Sequence, residues 1–247
     1  MITAGVDLAA MPKRTALASI EWTDGRAVIK DIICPADDDV IVKAIEQADK
    51  TGIDCPLGWP AAFTDFVAAH HAGHVSIPQD SSGAGWRREL TMRRTDIFVR
   101  NHVPVMPLSV SADRLAHVAM RCAVLLAKLD SAGRPVDRTG SGPVVEVYPA
   151  ASLRSWGLDH SGYKQPTRPG ALGRLVDQLR AKAPWLDCSS CEQTLRLSHD
   201  ALDAVIAAMT ARAASQGHTR QPGEADLAVA KTEGWIAIPY APISQLL

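Results

Sequence analysis

The stretch ITAGVDLAAMPKRTALASIEWTDGRAVIKDIIC, residues 2–34, decides the fold. Ile2 to Leu8 is a short, mostly apolar run and reads as a buried strand. Thr15 to Trp22 (TALASIEW) reads as a second strand and Ala27 to Cys34 (AVIKDIIC) as a third. Between these two, Thr23 to Arg26 carries the Asp-Gly dipeptide of a tight hairpin. Three strands joined by short turns predict an antiparallel meander. Beyond it, Asp37 to Asp39 supply caps for a helix whose apolar stripe is Val40, Ile41, Ala44 and Ile45. Gly52 to Leu57 (GIDCPL) is a fourth strand stopped by Pro56 and Gly58, and a helix from about Pro60 to His71 follows. The order is βββαβα.

Further along, residues 73–110 are rich in Gly, Pro and Arg and read as irregular. Ala112 to Asp130 is a clear helix, and 131–142 a loop. Val144 to Tyr148 (VVEVY) is a strand ended by Pro149. A helix is expected near 171–182, and the last strong helix runs from Ser198 or His199 to Ala214. Trp235 to Ile238 (WIAI) is expected to add a closing strand.

Bulk properties narrow the function classes. With 47% hydrophobic residues the chain is not disordered. No run of about 18 apolar residues exists, so no membrane span is expected. The N-terminus lacks a basic region, and Asp7 interrupts its apolar stretch early, which argues against a signal peptide. Five cysteines (Cys34, Cys55, Cys122, Cys188, Cys191) are an odd number in apolar or helical settings, so a reduced, cytoplasmic chain is expected. The net charge of −1 requires any nucleic-acid contact to use a local basic patch or a small substrate.

Four carboxylates stand inside apolar elements: Asp7, Asp54, Glu146 and Asp203. Asp203 lies in ALDAVIAAMTA (201–211), a helix apolar on nearly every side and hence buried. A lone buried carboxylate costs several kcal/mol unless it is paired or bound to a metal. One such acid is ordinarily a turn or cap residue. Four on separate elements point instead to a gathering that needs a cation, and hard oxygen ligands select Mg²⁺ or Mn²⁺. Two such ions about 4 Å apart serve phosphoryl chemistry. Asp200, three residues before Asp203, lies on the same side of the helix and is either a further ligand or a cap.

The βββαβα order, an Asp on the first strand, another ending the fourth and an acid on a late helix resemble the ribonuclease-H-like superfamily. Within it, the chain is similar to a predicted-nuclease family, the domain of unknown function 429. The matching pieces are GVDLA (5–9), GIDCPLGWP (52–60), RRTDIFVR (93–100), VVEVYPAASLRSWGL (144–158), GYK (162–164), HDALDAVIAAMTAR (199–212) and EGWIAIP (233–239). The resemblance implies one α/β domain over 1–247: a mixed five-stranded sheet flanked by helices. Insertions fall at about 73–142, between strands four and five, and at about 150–197, before the last helix. It implies Asp7, Asp54 and Asp203 as catalytic metal ligands, with Asp7 bridging two ions, and Glu146 at the rim. Where some relatives carry Asp-Gly-Cys-Arg on the first strand, this chain has Asp7-Leu8-Ala9, and Lys13 and Arg14 stand in for the lost basic residue.

Around this core of acids, Arg93, Arg94, Arg100 and Lys164 are the expected phosphate grips, weighed against surface salt bridges with Asp96 as a partner for Arg93 or Arg100. His70, His71 and His74 have one turn's spacing for zinc, but Gly73 breaks the helix and no glutamate completes the motif. Cys188 and Cys191 form a single CxxC with no second pair. The leading expectation is a metal-dependent nuclease acting on nucleic acid or a nucleotide. The alternatives are an actin-like nucleotide-binding module, disfavoured because Asp7 to Ala10 has no phosphate-loop glycine, and a non-catalytic scaffold, which the balanced charge suits.

Overall fold

The computed structural model describes residues 1–247. Its strands are β1 (Ile2–Asp7), β2 (Ala16–Thr23), β3 (Arg26–Ile33), β4 (Lys50–Asp54), β5 (Val144–Glu146) and β6 (Leu186–Asp187). The helices are α1 (Asp38–Gln47), α2 (Ala61–His71), α3 (Gly85–Thr91), α4 (Arg94–His102) and α5 (Ala116–Ser131). They continue with α6 (Pro149–Ser155), α7 (Ala171–Lys182), α8 (Glu192–Leu197), α9 (His199–Ser215) and α10 (Glu224–Glu233). All six strands form one mixed sheet in the order β5-β4-β1-β2-β3-β6. The expected meander is present: β1 pairs antiparallel with β2, and β2 with β3. β4 and β5 extend the sheet parallel to β1.

Several expectations need correction. The sheet has six strands, not five, because β6 adds two residues beside β3, too few for periodicity to reveal. Trp235 to Ile238 forms no strand; a single bridge joins Ile236 to Glu146. The segment 73–110 is not wholly irregular, since it holds α3 and α4, and α10 follows the helix expected to be last.

Strand alternation sorts the core into two layers. Val6, Leu8, Ile53, Cys55 and Leu57 face α1 and α5, packing on Ile41, Ile45, Cys122, Leu125 and Leu129. On the opposite face, Ala16, Ala18, Ile20 and Trp22 of β2 pack against α9 and α7. α9 is the central pillar of that side. Alanine, the best helix former, recurs along it at 201, 204, 207, 208, 211 and 213. Ser198 caps its N-terminus by accepting from the Ala201 amide at 3.1 Å. Its one interior hydroxyl, Thr210, donates to the Ile206 carbonyl at 2.8 Å and bonds Ser152, so nothing polar is stranded there.

Two glycines let α9 lie directly on the strands. Gly5 and Gly52 are register partners on β1 and β4. A methyl group on Gly5 would overlap the Ala204 carbonyl and the Ala208 amide, and one on Gly52 would overlap the Ala207 carbonyl. These are backbone atoms and cannot step aside as a flexible side chain would. Gly5→Ala should therefore destabilise the fold by about 3 kcal/mol, the upper range for overpacking a filled core. A urea midpoint for Gly5→Ala close to that of the wild type would refute the close approach.

Candidate active site

Asp7 and Asp54 are the last residues of β1 and β4 and face one another in register. Each lies two positions after its glycine, so both side chains point to the α9 face. α9 brings Asp203 to the same spot, inside its second turn and fully buried. Ligand oxygens from Asp7, Asp54 and Asp203 all lie within 4.8 Å of one another, with Asp7 and Asp54 partly exposed. Three acids distant in sequence thus meet, as expected from their apolar surroundings. His70, His71 and His74 form no comparable group.

The surroundings show how this gathering is tolerated. The Tyr163 hydroxyl donates to Asp203 Oδ1 at 2.8 Å. Asp203 Oδ2 is buried and has no aligned hydrogen-bond donor, although the Lys164 ammonium pairs with it. Burial, together with Asp203 and Asp54, pushes the Asp7 carboxyl well above the usual range. Burial raises Asp54 to about 7, with Asp203 and Glu146 adding to it and Lys164 opposing it. Burial pulls the Lys164 ammonium down, but Asp203, Asp54 and Asp7 outweigh this and the net shift is upward.

Three clefts converge here, and Lys164 lines all of them. One, of about 290 Å³, runs from Asp7 and Asp54 along Leu108, Leu115, Val118 and Tyr148. A second passes His160, Ser161 and Gln165. The third runs from Asp7 past Lys13, Arg14, His199 and Asp200. Arg121 steadies the loop between β1 and β2, donating to the Ala9 carbonyl at 2.7 Å and the Thr15 hydroxyl at 2.6 Å.

Other expected site residues are placed differently. Glu146 is not in the cluster. It lies beside Ile53 rather than Gly52 or Asp54, on the far face of the sheet. Its oxygens accept from Arg93 at 2.7 and 2.9 Å and from the Leu57 amide at 3.0 Å. Asp200 is held by His199 at 2.8 Å, beside the cluster but outside it, and Ser198 rather than Asp200 caps the helix. Arg93, expected as a phosphate grip, is 2% exposed and clamped between Asp96 and Glu146, and all three line the 290 Å³ cleft that also reaches Asp7 and Asp54. Arg94 pairs with Asp226, and Arg100 lies exposed on α4, lining none of the three clefts. Of the four expected grips, only Lys164 reaches the acids. Tyr163 and His199 stand in the GYK and HDALDAVIAAMTAR pieces, but neither residue type at its position signals a site role by itself. Cys188 is buried in the α7–α9 core, and its thiol, like that of Cys191, is free.

The donor set is all carboxylate oxygen, which fits a hard divalent cation. Fold and site together define a mixed α/β protein with an acidic cluster at the carboxyl ends of two parallel strands. A family model described as a protein of unknown function (DUF429) matches residues 5–227 of the 247, and the chain belongs to that family. No curated protein and no solved structure matches it. No helix is long and apolar enough to cross a membrane.

Two measurements check these assignments. Arg93→Met strands two buried carboxylates and should cost about 3–5 kcal/mol, whereas Arg94→Ala, which breaks an exposed pair, should cost less than about 1 kcal/mol. Equal urea midpoints for the two variants would contradict this contrast. The pH dependence follows from Asp54, whose folded carboxyl is raised from the ordinary 3.8 to about 7. Its protonation favours the metal-free fold below the unfolded value, and that contribution is lost as pH rises through the folded one. Metal-free Asp54→Asn should therefore match wild type near pH 4 and gain on it progressively up to about pH 7. Thermal melts in chelator at both pH values test this, and a constant difference would reject it.

Proposed function

We propose that the chain is a ribonuclease-H-like, divalent-metal-dependent hydrolase of phosphodiester bonds, acting on nucleic acid or a nucleotide. The carrying observation is the meeting of Asp7, Asp54 and Asp203 within 4.8 Å at the open ends of parallel strands. The strand order β5-β4-β1-β2-β3, with antiparallel β1 to β3 and parallel β4 and β5, supports the fold reading. Five free cysteines suit a reducing compartment, and the cytoplasm is the location assigned here.

Asp7, Asp54 and Asp203 would hold Mg²⁺ or Mn²⁺. The bound cation would supply an activated water and stabilise charge on the phosphoryl oxygens. The chain's own contribution is positioning. β1 and β4 fix Asp7 and Asp54 side by side, and the close seat of α9 fixes Asp203 above them. Tyr163 sets the orientation of the Asp203 carboxylate. Lys13 and Arg14, exposed along the cleft that reaches Asp7, are placed to attract an anionic substrate. With a net charge of −1, the chain has no broad basic surface for a long duplex, so the reading favours short, single-stranded or branched substrates.

The test is cleavage of single-stranded DNA, RNA, hybrid and branched substrates with Mg²⁺ or Mn²⁺, alongside calorimetric titration of Mn²⁺. Asp7→Asn should lower the rate roughly a hundredfold or more, a loss of about 2.7 kcal/mol of transition-state stabilisation. Absence of Mn²⁺ binding to wild type at millimolar concentration would end the catalytic reading. Thermal stabilisation by ATP-Mg without cleavage would favour the actin-like alternative, and metal binding without either would favour a scaffold.

A further inference from the structure

The geometry points to Lys164 as a built-in cation that fills one of the two cation places at the acidic cluster, so that the site takes a single divalent ion. This inference rests on the metal-centre reading above. It departs from the two-ion arrangement that the sequence resemblance implied.

Lys164 sits on the loop between α6 and α7, next to Tyr163. The pair works on one carboxylate from two sides. Tyr163 takes Asp203 Oδ1 by a hydrogen bond of 2.8 Å, and the Lys164 ammonium pairs with Oδ2. Tyr163 is 6% exposed and fixed, whereas the Lys164 side chain is 46% exposed, with its stem reaching in from solvent. The ammonium also acts on Asp54 and Asp7, so its charge is spread over the whole cluster and not over Asp203 alone.

Charge counting then separates one ion from two. Three carboxylates carry −3, and Lys164 brings the cluster to −2. One divalent cation neutralises that remainder, and a second would leave the pocket at +2. No fourth acid belongs to the group of three. Glu146 is committed to Arg93 on the other face of the sheet, and Asp200 is held by His199. Asp203 Oδ2, which the ammonium already pairs with, is where the ammonium and an ion would compete most directly. Lys164 also lines all three clefts, so it stays in contact with whatever phosphate approaches, whichever way the substrate enters. It is thus a positioning residue for the ion and the fixed positive charge of the site.

The experiment is Mn²⁺ binding to the full chain at neutral pH, read by calorimetric stoichiometry and by electron paramagnetic resonance, independently of any cleavage. Wild type should bind one Mn²⁺ per chain with the spectrum of an isolated ion. Lys164→Met should bind two, with the broadened spectrum of a coupled pair, and Lys164→Arg, which keeps the cation, should stay at one. Two ions on wild type, or one on Lys164→Met, would overturn the proposal while leaving the metal centre intact. Binding to Lys164→Met alone would also overturn it, because the lysine would then replace the ion entirely. No binding to any of the three proteins would remove the metal centre itself, and the inference with it.

Discussion

Repulsion among three carboxylates held within 4.8 Å of one another is the constraint on which the site and much of the fold depend. Two unit charges 4 Å apart repel by about 4 kcal/mol at an effective dielectric of 20. Three such pairs would exceed the net stability of many domains. The fold holds the acids together nevertheless, because each is the end product of a rigid element. Two are strand termini locked in register, and the third lies within a helix with twelve buried residues. The cost is reduced locally by raised carboxyl pKa values, by Tyr163 and by Lys164. A site kept in this condition is poised for a cation, since a binding ion removes a penalty as well as adding ligand bonds.

The seat of α9 translates this constraint into backbone terms. Gly5-Val6-Asp7 and Gly52-Ile53-Asp54 are the same three-residue device on adjacent strands. The glycine admits the helix, the β-branched residue fills the opposite layer, and the aspartate ends the strand at the helix's first turns. Placing a side chain at either glycine would lift α9 and carry Asp203 away from its partners. Packing and site geometry are therefore fixed by the same atoms.

Asp7, Asp54 and Asp203 were legible in the sequence because each interrupts an apolar element that has no other reason to hold a charge. Glu146 gave the same signal and has a different role. The difference lies in the period of two along a strand: Val145 and Val147 face α9, so Glu146 must face away. That parity is readable once β4 and β5 are known to be neighbours in a particular register, and a sequence alone does not give the register. The burial of Arg93 is illegible for a related reason. An arginine in an Arg-rich, Gly-rich segment resembles a solvated phosphate grip, and only tertiary structure reveals that α4 carries it inward. The separation of Arg93 and Asp96 by three residues was the available hint, realised as a reciprocal cap at the start of α4. The antiparallel meander of β1 to β3 followed from the turn signals of the first 34 residues, but β6, two residues long, left no pattern to read.

The buried Arg93 cluster explains why the segment between β4 and β5 does not simply drift from the sheet. Arg93 donates to Glu146 on β5, to Asp96 on its own helix and to the Glu233 carbonyl at the end of α10. Glu233 in turn accepts from the amides of Ala61 and Arg94, tying the starts of α2 and α4 to the same point. One guanidinium thus joins three distant parts of the chain on the face of the sheet opposite Asp203. The two charged centres answer the same problem in opposite ways. On the far face, two acidic side chains and a backbone carbonyl meet a buried arginine, and the result is structural. On the α9 face, three aspartates meet a lysine on a loop with an exposed stem, and the chain's own positive charge falls short of theirs. A half-exposed lysine at the open end of the sheet, in place of a fully buried arginine, is what distinguishes this centre from the one on the far face.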